Sequence, residues 1–144
     1  MRISARLLRA WSLLVPFSVM ALLTYLSSLP GNPETDALLV FGVSVEMTPK
    51  WQNLLHVPAY TVLGLAWRSS LDQLGTSPMK GVILTLVFGI SFGIVDELHQ
   101  AFVPYRYPGV LDALLDALGI AIACLLWPWI RVLLPARMHA NSPS

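Results

Sequence analysis

Four apolar stretches, over about 9–29, 49–70, 78–102 and 110–134, take up most of this 144-residue chain. Each meets the roughly 20 residues that a helix needs to cross the hydrocarbon core of a bilayer. Only 12% of the residues are charged and 56% are hydrophobic, which is about half the charge of an ordinary soluble domain. Mean hydropathy is +0.66. A disordered chain is excluded, and a soluble globule would have too little charge to cover its surface. The sequence predicts an all-α polytopic membrane protein, one domain over 1–144 with four transmembrane helices and short connections.

Punctuation divides the stretches. Arg2, Arg6 and Arg9 precede the first, as in a secretory signal. Its apolar run is longer than a signal core, and Ser27-Ser28-Leu29-Pro30-Gly31 lacks a clean small-x-small cleavage site, so an uncleaved helix is expected. Asn32-Pro33 has the form of a cap and a first helical position, and predicts a short surface helix over 34–43. Thr48-Pro49 and Ser77-Pro78 open the second and third long helices in the same way. Pro58 and Pro128 lie inside helices, and Pro58 predicts a kink. The tail from Pro135 to Ser144 is polar, with His139 inert.

Charge sets the orientation. With the N-terminus in the cytoplasm, the inner side holds Arg2, Arg6, Arg9, Arg68, Lys80, Arg131 and Arg137, and the outer side only Lys50 and Arg106. Seven against two places both termini inside by the positive-inside rule. Trp11, Trp67, Trp127 and Trp129 then mark the inner interface and Trp51 the outer one. A net charge of +1 gives no surplus for nucleic acid, and the single Cys124 excludes an intramolecular disulfide or a cysteine metal cage. Cys124 reads as packing.

The outer side carries the chemistry. His56 has Tyr60 one turn deeper on the same face. Asp96, Glu97, His99 and Gln100 cluster near the end of the third helix, Arg106 follows in the connection, and Asp112 and Asp116 share a face of the fourth helix. Asp116 would lie roughly 9 Å inward of Val110 at about 1.5 Å per residue. A carboxylate near mid-bilayer costs about 2.5–3.5 kcal/mol on the insertion scale. Four acids therefore face one another, a cation or enclosed water rather than lipid. Gly89, Gly93 and Glu97 form one row, as do Asp112, Asp116 and Gly119, so the closely packed faces lead to the acids.

These residues resemble the VanZ-like family of small bacterial membrane proteins. The matching pieces are Ser27-Ser28-Leu29-Pro30-Gly31; His56-x-x-x-Tyr60-x-x-x-Gly64; Asp96-Glu97-x-x-Gln100-x-Phe102-x-Pro104-x-Arg106; and Asp112-x-x-x-Asp116-x-x-Gly119. They span 27–119, and the third is the specific one. Similar proteins often have Lys where this chain has Asn53 and Asn where it has Asp116, so this site is the more negative. The founding member is associated with low-level teicoplanin resistance. The resemblance implies a multi-pass protein of the bacterial inner membrane that affects glycopeptide tolerance.

Each candidate has two readings. Glu97, Asp96 and His56 are the catalytic candidates, with Glu97 a general base or cation ligand and His56 an acid or ligand. The alternative pairs Asp96 and Glu97 with Arg106, and hydrogen-bonds His56 to a facing carboxylate. Arg106, Gln100, Tyr60, Asp112 and Asp116 are the binding candidates. Arg106 suits an anionic headgroup, or else bridges to Asp96, Glu97 or Asp112. Asp116 reads as polar glue between helices, and Ser27 and Ser28 as helix-end caps. No metal signature is present and the cofactor is unassigned. His56 with Asp96, Glu97 or Asp112 has the donors for a divalent cation, with Asp112 and Asp116 extending the site. Partners are membrane lipids and a cell-wall precursor or other lipid-linked headgroup. An enzyme acting on such a headgroup, a binding or shielding protein, and a structural subunit all fit this pattern, and the oligomeric state is open.

Overall fold

The computed structural model describes residues 11–31, 37–40, 43–46 and 49–133. Among the described residues are four long helices: α1 (Leu14–Ser27), α2 (Pro49–Gln73), α3 (Pro78–Gln100) and α4 (Val110–Leu133). The expected caps at Asn32 and Thr48, the N-terminal arginines and the tail from Pro135 lie outside the described residues. Ser77 precedes α3 with an extended backbone and Pro78 takes the first turn, although the Ser77 hydroxyl makes no capping bond. α2 runs through Pro58 as one helix. Near it, the Thr61 hydroxyl lies 2.8 Å from the Val57 carbonyl and 3.2 Å from that of Gly119 on α4.

One expected element is of another kind. In place of the short helix over 34–43, two strands, β1 (Ala37–Val40) and β2 (Val43–Glu46), pair antiparallel from Ala37↔Glu46 to Val40↔Val43. The described residues thus hold four long helices with a small β-ribbon between α1 and α2. β-branched Val40, Val43 and Val45 favour strand, and an isolated helix of about ten residues is marginal in any case.

The contacts fix the helix directions. α2 and α4 run side by side in the same sense, with His56 against Asp116 and Asp72 against Arg131. α3 runs against both: Gly93 meets Asp116 and Gly89 meets Ile120. α1 lies antiparallel to α2, with Ser70 bonded to the Ser12 carbonyl at 2.7 Å near one end and Phe17 edge-on to Trp67.

Burial is inverted relative to a water-soluble bundle. The buried residues of α3 are Gly81, Thr85, Gly89, Gly93, Asp96, Glu97 and Gln100, with no large apolar side chain among them. Its exposed positions include Ile83, Val87, Ile94, Val95 and Leu98. α4 buries Asp112, Asp116, Gly119, Ile120, Ala123 and Trp127, a stripe at helical spacing, and exposes Leu111, Leu114, Leu118 and Leu125. Both helices are long and apolar enough to cross a membrane. A small apolar core of Tyr60, Leu63, Trp67, Leu71 and Ile120 fills the middle.

Two tryptophans depart from their expected place. Trp67 and Trp127 are buried, while Trp11 and Trp129 are exposed. Trp67 follows Tyr60 and Leu63, and Trp127 follows Ile120 and Ala123, at i+3 to i+4 steps, so the helical period carries both indoles inward. Trp67 packs on Phe88 with centroids 4.7 Å apart.

Small residues set the helix separations. A Cβ on Gly119 would come within 2.5 Å of the Val57 carbonyl oxygen and 3.0 Å of the Thr61 nitrogen. Both are backbone atoms of α2, so the helices themselves would have to move apart. Gly119→Ala is expected to lower stability by about 1–3 kcal/mol, the usual cost of overpacking. Thermal unfolding in detergent measures it. Gly75→Ala, where a Cβ meets nothing but φ is +78°, should cost only about 1 kcal/mol of backbone strain.

Candidate functional site

The polar residues gather at the end of the bundle formed by the C-termini of α1 and α3 and the first turns of α2 and α4. Alternation of direction produces this. His56 and Asp116 lie one to two turns into parallel helices, and Asp96 and Glu97 lie one turn before the end of the antiparallel one. Asp96, Glu97, Gln100, Asp112 and Asp116 are all buried.

Asp116, 1% exposed, is the innermost acid. Its Oδ1 lies 2.7 Å from His56 Nδ1. Its other oxygen has no hydrogen-bond partner. Gly93 provides the seat: a Cβ there would be 3.0 Å from Asp116 Oδ2 and 3.1 Å from its Cβ. The His56 ring stacks parallel to Tyr60 at 6.2 Å. His56 is therefore hydrogen-bonded to a facing carboxylate, and Asp116 does join helices as expected.

Asp96 faces α1. The Ser27 hydroxyl donates to its Oδ1 at 2.6 Å, and the Tyr60 hydroxyl and Gln100 amide approach its Oδ2 at 3.4 Å. Ser27 is thus more than a helix-end cap, because it is buried and joins α1 to the acid cluster. Glu97 receives the Gly109 backbone N–H on Oε2 at 3.1 Å, with the Gln100 amide 3.4 Å from Oε1. Gly109 directly precedes α4, and a carboxylate is favoured beside the N–H groups that open a helix. Asp96 and Glu97 thus share the Gln100 amide but otherwise turn to different partners, α1 for one and the start of α4 for the other. Asp112 is buried with Oδ1 unpartnered.

Arg106 corrects an expectation. It forms no ion pair with Asp96, Glu97 or Asp112 among the described residues. Its Nε donates to the Leu29 carbonyl at 3.1 Å and Nη2 to the Leu26 carbonyl at 3.3 Å. The Leu26 carbonyl, in the last turn of α1, also accepts the Leu29 N–H at 3.3 Å, and the Leu29 carbonyl lies just past the helix; a guanidinium fork fits the pair. The Gly31 N–H adds a bond to the Pro104 carbonyl at 3.2 Å, beside Tyr105 at φ +59°. Burial pulls the Arg106 pKa below its ordinary value, and nearby Asp96 and Glu97 oppose that shift. His99 is exposed, as expected, and bonds the Ser28 hydroxyl at 2.9 Å.

All eight candidate residues therefore meet at one end of the bundle, with Arg106 serving the backbone of α1. Sequence reasoning assigned Ser27 and the Gly109 N–H no place in the site. Both are long-range partners with no periodic signal. His56, Glu97 and Asp116 each offer a ligand atom, and these atoms all lie within 4.8 Å of one another.

The arrangement defines a helical bundle with acids enclosed near one mouth, able to hold a proton or a cation between α2, α3 and α4. The VanZ/LLP1 family model matches residues 3–131, and the chain belongs to that family. Comparison with curated proteins and with solved structures finds no match.

The His56–Asp116 contact can be tested by a double-mutant cycle. Removing one partner of a buried pair costs about 3–5 kcal/mol, because the other is left uncompensated. His56→Gln and Asp116→Leu should each be destabilising, and the double variant less so than their sum, with a coupling of about 1–3 kcal/mol. Additive effects would show that the contact holds nothing together.

Proposed function

We propose that this is a multi-pass protein of the bacterial inner membrane. All four helices cross it, both termini are cytoplasmic, and the acid-lined mouth opens to the outer leaflet. There it engages a lipid-linked cell-wall precursor and alters tolerance to glycopeptides such as teicoplanin. The buried constellation of His56, Glu97 and Asp116 on three helices carries this reading. Such a cluster is expensive to bury, and helix packing alone would be served by the small residues already present. Family membership, the exposed aliphatic belts and the seven-to-two distribution of basic residues support the membrane placement.

A second reading is enzymatic: His56 and Glu97 act as proton donor and acceptor on the headgroup. The observation favouring it is the proximity of a hydrogen-bonded imidazole to a carboxylate held by a backbone N–H. In both readings Arg106 anchors the end of α1 through Nε and Nη2.

Orientation is checked by labelling single cysteines in a Cys124→Ala background. Tyr107→Cys and Met79→Cys are at exposed positions, 88% and 70%. An impermeant maleimide should label the first in intact spheroplasts and the second only after lysis. The reverse pattern would invert the topology.

Function is checked in cells lacking the protein, expressing it, or expressing Glu97→Gln at matched abundance. The isosteric variant should fall to the teicoplanin tolerance of the deletion strain. An envelope lipid that shifts only with native protein would select the enzymatic reading. Full tolerance with Glu97→Gln would remove the site from the function.

A further inference from the structure

The carboxylate oxygens at the mouth outnumber the donors that reach them. Asp96 has three donors and Glu97 has two. Asp116 uses one oxygen on His56 and leaves the other bare, and Asp112 also has a bare oxygen. Both bare atoms are buried on residues with at most 7% exposure. The nearest arginine spends its fork on α1 carbonyls. A hydrogen-bonded His56–Asp116 pair accounts for one edge of Asp116 only. A buried acceptor without a donor is costly, and a cation satisfies several such acceptors at once.

We propose that His56, Glu97 and Asp116 bind one divalent cation. The donor set is one imidazole nitrogen with carboxylate oxygens, which suits Zn²⁺ or Mn²⁺ rather than the all-oxygen preference of Mg²⁺ and Ca²⁺. The candidate atoms already lie within 4.8 Å of one another. Glu97 is oriented from behind by the Gly109 N–H, the outer-layer support that holds metal ligands in place. Gly93 leaves room for the Asp116 carboxylate. Asp112, one turn nearer the start of α4, supplies a bare oxygen for a water on the ion. The inference is independent of any role in the envelope, since it concerns occupancy alone.

The test uses full-length protein in detergent, with its tag cleaved, stripped by chelator and then titrated with Zn²⁺ and with Mn²⁺. Calorimetry and elemental analysis should find one ion per chain. Glu97→Gln and Asp116→Asn should each weaken binding by about tenfold or more. His99→Gln, which removes the exposed histidine at the same end, should leave it unchanged. Spin-echo spectra of the Mn²⁺-loaded native protein, or visible spectra with Co²⁺ in place of Zn²⁺, should show nitrogen ligation. The spectra decide the matter even if the variants fold poorly. Absence of stoichiometric binding by both metals, survival of binding in both carboxylate variants, loss in His99→Gln, or spectra with no nitrogen ligand would each overturn the proposal. None of these outcomes depends on teicoplanin tolerance, so this inference and the envelope reading fail separately.

Discussion

A buried carboxylate requires a partner, a proton or a cation, and Asp116 places that demand where α2, α3 and α4 meet. Several features of the bundle follow from it. His56 must stand opposite on α2, which fixes the register of α2 against α4. Gly93 must lack a side chain, or the carboxylate would have no seat. Gly119, one turn further along α4, must let the α2 backbone come close enough for the 2.7 Å contact to form. Large apolar residues at those glycines would increase apolar contact and push the polar groups apart.

The same inversion explains how the bundle is held at its other end. Arg68 is buried at 5% exposure, with its guanidinium 6.0 Å from the Trp127 ring centroid and against Gly81 at the start of α3. Arg131 pairs with Asp72 at 3.2 Å. Where α3 brings glycine and threonine inward, aromatic rings and a long cationic stem from α2 and α4 fill the space. Basic groups gather at this end and acids at the opposite mouth. The helices between expose mostly aliphatic residues. In water that surface would be an association liability; against lipid tails it costs nothing.

The helices were legible because their signals are local. Length, apolarity and Ser-Pro punctuation place α3 and α4 nearly to the residue, and the rows Gly89–Gly93–Glu97 and Asp112–Asp116–Gly119 identify the inward faces correctly. Spacing fails where a partner comes from far along the chain. Nothing within α1 shows that Ser27 reaches Asp96, 69 residues away. Charge sign alone led to the expectation of an Arg106 ion pair. The carbonyls of Leu26 and Leu29 at the end of α1 compete for the same guanidinium, and a composition-based view of charges does not see backbone acceptors. Trp67 and Trp127 teach a similar lesson, since helical phase overrode the preference of indole for an interface. The β-ribbon was hidden because an Asn-Pro pair marks a turn as readily as it marks a helix start.

Turning Arg106 toward α1 changes the electrostatic character of the mouth. Arg106 donates to the Leu26 and Leu29 carbonyls while its charge still acts on nearby Asp96 and Glu97, and His56 is the one side chain in hydrogen-bonding contact with the acids of the mouth that can carry a positive charge among the described residues. A mouth of this kind attracts cations and repels free anions. Any anion that met these buried carboxylates would need its charge screened, by protons shared among them or by a bound cation. The fork that anchors α1 thus also shapes the charge balance of the mouth.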